Sequence, residues 1–543
     1  MTLKTISTQP IAGQKPGTSG LRKKTRVFMK PGYLENFVQA TINAIGGGAG
    51  KRFVIGGDGR YFNAEAIQTI LKMAAANGAV EVIVGQNGLL STPAASHLIR
   101  LNKTDGGFIL SASHNPGGID EDFGIKFNAS NGGPAPEKLT DSIYAETTTL
   151  SSYEMAQDGD IDLSKIGESR LGDMVVKVVD PVADYAALME TLFDFSAISA
   201  MFGNGFTMCF DAMHAVTGPY ATAIFEARLG AAKGTVINGV PLPDFGGGHP
   251  DPNPIWAAEL MTVMMSDAAP DFGAASDGDG DRNMIVGRGI YVTPSDSLAV
   301  LAANAQLAPA YAGGLAGIAR SMPTSAASDR VAKKLGIEAF ETPTGWKFFG
   351  NLLDAGRVTI CGEESAGTGS NHVREKDGIW AVLLWLNILA THKISVKEVL
   401  SRHWAMFGRD YYSRLDYEEV PTDKANGLMA GIETRLQNLA GQSFSGLCVS
   451  AADMFAYTDP VDGSLSSNQG LRIWFEGGAR AVFRLSGTGT EGATIRLYLE
   501  QFKPAGFDFS VETAEVLLPL KNAVLALADF KNHIGRVDPD VVT

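Results

Sequence analysis

At 543 residues the chain is too long for one core and divides into about three or four domains on size alone. Its formal charge of −14 argues against a nucleic-acid binder, whose footprint is basic, while 45% apolar residues suffice for packed interiors. Cys209, Cys361 and Cys448 lie far apart without CxxC spacing, which points to neither a disulfide framework nor a zinc site. The N-terminal stretch lacks an apolar segment of signal-peptide length, and no apolar run reaches about 18 residues. The expectation is a cytoplasmic chain without membrane or nucleic-acid partners.

In chain order, Gln14 to Lys24 reads as a glycine- and proline-containing loop followed by Arg22-Lys23-Lys24, a combination that suits an anion. Arg52 to Ile55 reads as a strand ending at Gly56-Gly57-Asp58-Gly59-Arg60, with a helix over 63–77. Val82-Ile83-Val84 is the next strand, and Ser91-Thr92-Pro93 opens a helix with a capping hydroxyl before proline. The apolar run Gly107-Phe108-Ile109-Leu110 then ends in Ser111-Ala112-Ser113-His114-Asn115-Pro116-Gly117-Gly118, which cannot continue a strand. This βαβαβ spacing predicts a parallel sheet with Ser113 on a strand-end loop, where ligands collect in open α/β folds.

The polar stretch 151–172 is expected to connect domains, and a second α/β unit is expected from Val175, with Thr207 to Phe210 as a strand. A third unit runs from Tyr291 through Gly317 to Arg320 and Thr359 to Cys361, then into a helix around Ile379 to Trp385. After Gly408, alternating strand patterns and a closing helix over 511–530 predict a smaller α+β domain. The expected divisions are therefore 1–174, 175–290, 291–408 and 409–543.

Three further loops carry chemistry. Asp277-Gly278-Asp279-Gly280-Asp281-Arg282 spaces carboxylates with glycines that let them converge on a hard cation. An EF-hand is excluded, because Arg282 stands where it needs glycine and Arg288 where it needs glutamate. Arg282 either assists at that site or balances the acidic loop. Cys361-Gly362-Glu363-Glu364-Ser365 follows an apolar strand, and its paired acceptors suit sugar hydroxyls, with Arg374-Glu375-Lys376-Asp377 close behind. Arg484-Leu485-Ser486-Gly487-Thr488-Gly489-Thr490 contains a dinucleotide-like glycine pattern. The alternating Ala493 to Leu499 that follows is strand rather than helix, so the segment is a loop between strands that carry Arg484 and Arg496. Two such arginines suit a phosphate clamp.

Taken together, Ser-Ala-Ser-His-Asn-Pro-Gly-Gly at 111–118, Asp-Gly-Asp-Gly-Asp-Arg at 277–282, Gly-Glu-Glu-Ser at 362–365 and Arg-Leu-Ser-Gly-Thr-Gly-Thr at 484–490 resemble, in order, the four signature loops of the α-D-phosphohexomutases. Gln14 to Arg22, Glu341 to Lys347 and Arg374 to Gly378 look like the phosphoglucomutase branch. The resemblance implies a heart-shaped molecule of four domains, three related α/β domains with mixed sheets and a C-terminal α+β domain. It implies glucose 1-phosphate and glucose 6-phosphate as substrates, glucose 1,6-bisphosphate as intermediate and activator, and one Mg²⁺ per chain. By motif, Ser113 is the phosphorylated serine and shares the metal with Asp277, Asp279 and Asp281. Thr344, Gly345, Glu363 and Ser365 contact the sugar, with Arg282 beside them. Arg484, Ser486, Gly487, Thr488, Gly489, Thr490 and Arg496 hold the non-reacting phosphate. Arg22, His114, Lys126 and Lys376 surround the reacting one. Ala366 departs from the phenylalanine common in phosphoglucomutases, removing an aromatic wall beside the sugar loop. The expected mechanism uses a base near Lys126 or Lys376, with the lysine pKa lowered by neighbouring cations. A monomer or weak homodimer is expected.

Overall fold

The computed structural model describes residues 2–17, 19–486 and 492–543. Its first sheet has seven strands in the order Leu21–Lys24, Asp122–Ala129, Gly106–Leu110, Arg52–Gly57, Glu81–Leu89, Met174–Val179 and Gly167–Leu171. The four from Gly106–Leu110 to Met174–Val179 are mutually parallel, and antiparallel strands close both sides. Gly106–Leu110 is buried throughout, as its apolar run predicts. Ser91 caps the helix Thr92–Asn102 by accepting from the Ala94 N–H at 3.3 Å.

Three expectations are corrected here. Leu21–Lys24 is an edge strand, not loop, and Gln14 is buried, donating to Tyr33 O at 2.6 Å. The stretch 151–172 is no linker: Ser152–Ala156 pairs with Leu3–Ser7, and Gly167–Leu171 forms the far edge of the first sheet. Only Leu171 of that edge strand is buried, so its solvated residues read as polar connection. Met174–Val179 pairs with Glu81–Leu89, placing it in the first sheet rather than opening the second unit at 175. Local pattern identifies a strand but not its partner.

The second unit carries five strands ordered Val236–Ile237, Met208–Asp211, Phe272–Ser276, Asn283–Gly287 and Ile290–Val292. Because Ile290–Val292 pairs with Asn283–Gly287, this sheet extends past the expected division at 290. The third unit has four strands, Glu338–Thr342, Gly317–Ser321, Ile360–Gly362 and Thr368–Ser370, the last antiparallel. Helix Gly378–His392 is buried from Gly378 to Ala390, and its apolar residues on every side bind the second and third units into one core. The C-terminal unit is an antiparallel sheet with its own core under helix Thr513–Ala528. Arg480 Nη2 donates to Thr324 O at 2.8 Å, seating that sheet against the third unit. All three cysteines are free thiols, and among the described residues no single helix is long and apolar enough to cross a membrane.

Candidate active site

Ser113 follows the buried strand directly and adopts φ +53°, a left-handed conformation unusual for serine. Its amide donates to Ser111 Oγ at 2.7 Å, and Arg60 Nη2 donates to its carbonyl at 2.8 Å. Arg60 is in turn fully buried against Asp58 at 2.9 Å. This hold on both sides of the peptide directs Ser113 Oγ to Asp277 Oδ2, to which it donates at 2.9 Å.

Asp277 is delivered by the strand Phe272–Ser276, and the loop after it curls around its own first carboxylate. Asp277 Oδ1 accepts from the amides of Asp281 at 2.9 Å and Arg282 at 3.0 Å. Gly278 is required, because a Cβ there would collide with the Ser113 carbonyl. One carboxylate oxygen each from Asp277, Asp279 and Asp281 lies within 4.8 Å of the others, all buried. Asp279 Oδ2 accepts from Thr92 Oγ1 at 2.7 Å, whereas Oδ1 has no hydrogen-bond partner among the described residues. Converging hard oxygens with an unsatisfied member can hold a hard divalent cation. Burial, then Asp281 and Asp279, push Asp277 well above the usual carboxylate range. Asp279, against its own burial, is held at about 2 by Lys126, the Thr92 hydroxyl, Lys376 and Arg22.

The expected basic residues do gather here, but three of them face carboxylates. Lys376 Nζ is 3.1 Å from Asp281, Lys126 Nζ is 3.0 Å from Glu375, and Arg282 is 3.0 Å from Asp251. The expectation of a lysine with lowered pKa is corrected for Lys376: burial pulls it down, but Asp281, Glu363 and Asp277 outweigh that and raise it. Arg22 is half-buried, with Asp279, Arg282, Arg60 and Asp281 as its charged neighbours. His114 Nδ1 lies 3.4 Å from Ser113 Oγ, and burial together with Arg282, Arg22, His249 and Lys376 keeps its ring neutral.

On the third unit, Glu363 accepts from the Gly345 N–H at 2.9 Å, joining it to the Thr344–Gly345 turn. Thr344 Oγ1 is buried without a hydrogen-bond partner among the described residues, and Ser365 is half-buried. Ala366 adopts φ +70°, and its carbonyl accepts from Asn283 N at 2.9 Å and Nδ2 at 3.0 Å, tying this loop to the strand after the acidic turn. Arg484 and Arg496 are direct cross-strand partners on Ala479–Ser486 and Ala493–Lys503. Ser486 ends the first of these strands; Gly487, Thr488, Gly489 and Thr490 lie outside the described residues. The sequence assigns no chemical role to Asp58, Arg60, Thr92 or Glu375, and it pairs Glu364 with Glu363 as an acceptor for sugar hydroxyls, whereas in the fold the Glu364 carboxylate faces Arg414 at 3.3 Å. Asp58-Gly59-Arg60 was visible as a strand-end loop, but nothing local reveals that it reaches Ser113.

Four family models cover most of the chain. Phosphoglucomutase/phosphomannomutase alpha/beta/alpha domains I, II and III match residues 13–154, 183–289 and 294–407, and the Phosphoglucomutase-1 C-terminal domain matches 409–540. A phosphoglucomutase of Rhizobium radiobacter is 61% identical over 541 residues, covering 100% of both chains. The chloroplastic phosphoglucomutase of Arabidopsis thaliana is 53% identical over 555 residues, covering 100% of this chain and 89% of the relative. The solved open form of the Paramecium exocytosis-sensitive phosphoprotein pp63/parafusin, a phosphoglucomutase, superposes with a TM-score of 0.92 at 50% identity, covering 100% of this chain and 99% of that one. Four domain models in order and identity sustained along the whole length show that the chain belongs to the phosphoglucomutase/phosphomannomutase family.

Proposed function

We propose that the chain is a phosphoglucomutase, interconverting α-D-glucose 1-phosphate and glucose 6-phosphate through phosphorylated Ser113 and glucose 1,6-bisphosphate. The observation that carries this reading is the 2.9 Å approach of Ser113 Oγ to Asp277, inside a loop whose three carboxylates converge. Asp277, Asp279 and Asp281, with an oxygen on Ser113, would hold one Mg²⁺, which supplies positive charge against the phosphoryl oxygens.

The chain's own groups divide the remaining work. Ser113, held left-handed by Arg60 and Ser111, presents its oxygen in one orientation. Arg22, Lys126 and Lys376 offer positive charge to the reacting phosphate, and Lys376 serves as a cation rather than a base. His114, kept neutral, sits against Ser113 Oγ without adding charge. Glu363, Ser365, Thr344 and Gly345 receive the sugar hydroxyls, with Arg282 at the rim. Arg484, Ser486 and Arg496, together with 487–490, hold the second phosphate. Because the bisphosphate must bind either way round, the phosphate grip is firm and the sugar contacts are tolerant. We place the enzyme in the cytoplasm as a monomer or weak homodimer whose partners are small hexose phosphates.

The test is turnover of glucose 1-phosphate, mannose 1-phosphate and N-acetylglucosamine 1-phosphate with Mg²⁺ and catalytic glucose 1,6-bisphosphate. Glucose 1-phosphate should have the highest kcat/KM. A higher value for either rival, or release of inorganic phosphate that keeps pace with sugar conversion, contradicts the reading.

A further inference from the structure

Glu364 lies between two residues proposed to meet the sugar, yet its side chain reaches the C-terminal domain. Its Oε2 is 3.3 Å from Nη1 of Arg414 on strand Arg409–Val420. Arg414 Nε is 3.1 Å from Asp416 Oδ1, and Asp416 Oδ2 is 3.8 Å from Arg496 Nε. The side chains of Glu364, Arg414 and Asp416 are 3%, 15% and 4% exposed, so solvent screens this row poorly. The fold makes the row continuous. Asp416 and Arg496 are register partners across adjacent strands, as are Arg496 and Arg484. On the other side, the Glu364 amide donates to Thr324 Oγ1 at 2.8 Å, anchoring the loop to the third unit.

Charge alternates along this row as minus, plus, minus, plus. Without Arg414, Glu364 and Asp416 would be two buried carboxylates lacking their shared partner, and Asp416 would draw Arg496 away from a phosphate. The hydroxyl loop would meanwhile lose the Glu364–Arg414 ion pair that ties it to the strand beside the phosphate clamp. A hexose phosphate gripped by phosphate at one end and hydroxyls at the other is discriminated from its epimers only when those two grips keep a fixed separation. Hydrogen bonds to hydroxyls weaken steeply with small misplacements.

We infer that Arg414 is a positioning residue that fixes the sugar-hydroxyl loop relative to the phosphate clamp and thereby sets selectivity among hexose phosphates differing at one hydroxyl. The inference rests on the sugar and phosphate assignments of the proposed function. It extends them to a residue that touches neither end of the substrate.

The test measures kcat/KM for glucose 1-phosphate and for its C2 epimer mannose 1-phosphate in the wild type, Arg414→Met, Glu364→Gln and the double variant, all with Mg²⁺ and glucose 1,6-bisphosphate. Each single variant should lower the glucose-to-mannose ratio at least about fivefold, the low end of a coupling between sites, mainly through KM for glucose 1-phosphate. The double variant should be no less selective than the poorer single one, because both changes cut the same link. An Arg414 that only glues domains together would lower melting temperature and both kcat/KM values without changing their ratio, which overturns the inference. Single-variant effects that multiply in the double also overturn it. Should Arg414→Met fail to fold, an unchanged ratio in Glu364→Gln overturns it alone. Failure of the underlying function is distinguishable, since wild-type protein would then not convert glucose 1-phosphate.

Discussion

Ser113 Oγ donates to Asp277 Oδ2 at 2.9 Å, joining two loops separated by 164 residues. Each loop is shaped to permit that contact: Ser113 turns left-handed, and Gly278 leaves room for the Ser113 carbonyl. Burial, Asp281 and Asp279 all oppose the charge of Asp277, so its carboxylate costs stability in the absence of a cation.

Replacing that charge should separate the two properties. Asp277→Asn is expected to stabilise chelator-treated protein by about 1 to 3 kcal/mol, because it removes a like charge from a buried triplet. Turnover should fall to background, and the rise in melting temperature that Mg²⁺ gives the wild type should disappear. Thermal unfolding with EDTA and with Mg²⁺ checks both halves.

Arg60 is predicted to matter far beyond its chemistry. It is fully buried with Asp58, and Arg60→Met leaves that carboxylate uncompensated, at a cost of about 3 to 5 kcal/mol. Adding Asp58→Asn should recover part of the loss. Urea unfolding of the single and double variants gives the comparison, and kcat should fall in both because the Ser113 carbonyl loses its donor.

The two arginines proposed to hold the second phosphate should behave differently. Arg484 and Arg496 are half-buried strand partners; Arg484→Gln should leave the melting temperature nearly unchanged, whereas Arg496→Gln should lower it modestly because the buried Asp416 loses a cation 3.8 Å away. Each should raise KM for glucose 1-phosphate by roughly 10- to 100-fold, the value of a lost charge-assisted hydrogen bond. Steady-state kinetics beside thermal unfolding tests the pair.

Acid sensitivity has an identifiable contributor away from the cleft. Burial, and then Arg330, lower His403 from 6.5 to about 4, so the unfolded chain takes up this proton first as pH falls. The stability is complete above about pH 6.5 and is lost progressively towards pH 4, on the order of 3 kcal/mol from this group. His403→Phe, which keeps a ring beside Phe407, should narrow the difference in melting temperature between pH 7 and pH 5.

The sequence was most readable where chemistry and local geometry coincide. A buried apolar run ending in Ser-His-Asn-Pro-Gly-Gly must break, and carboxylates interleaved with glycine must curl, so Ser113 and the Asp277 to Asp281 loop stand out before any fold is known. The strand arginines Arg484 and Arg496 follow from alternation in the same way, and the structure pairs them directly. What stayed hidden depends on partners distant in the chain. Met174–Val179 is plainly a strand, but only tertiary pairing puts it in the first sheet. Lys376 looked like a lysine among cations, whereas folding sets Asp281 against it and reverses the direction of its pKa shift. Glu364 resembles its neighbour Glu363 in sequence, but Glu363 accepts from the Gly345 amide whereas Glu364 faces Arg414, 50 residues further along.

The account depends most directly on Ser113 carrying the phosphoryl group. Intact mass of wild-type protein and Ser113→Ala, before and after glucose 1,6-bisphosphate with Mg²⁺, read beside glucose 1-phosphate turnover, decides it. The account predicts one added phosphoryl group on the wild type, mapped to Ser113, with neither that mass increase nor turnover in the variant. A Ser113→Ala protein that still converts glucose 1-phosphate at the wild-type rate contradicts it.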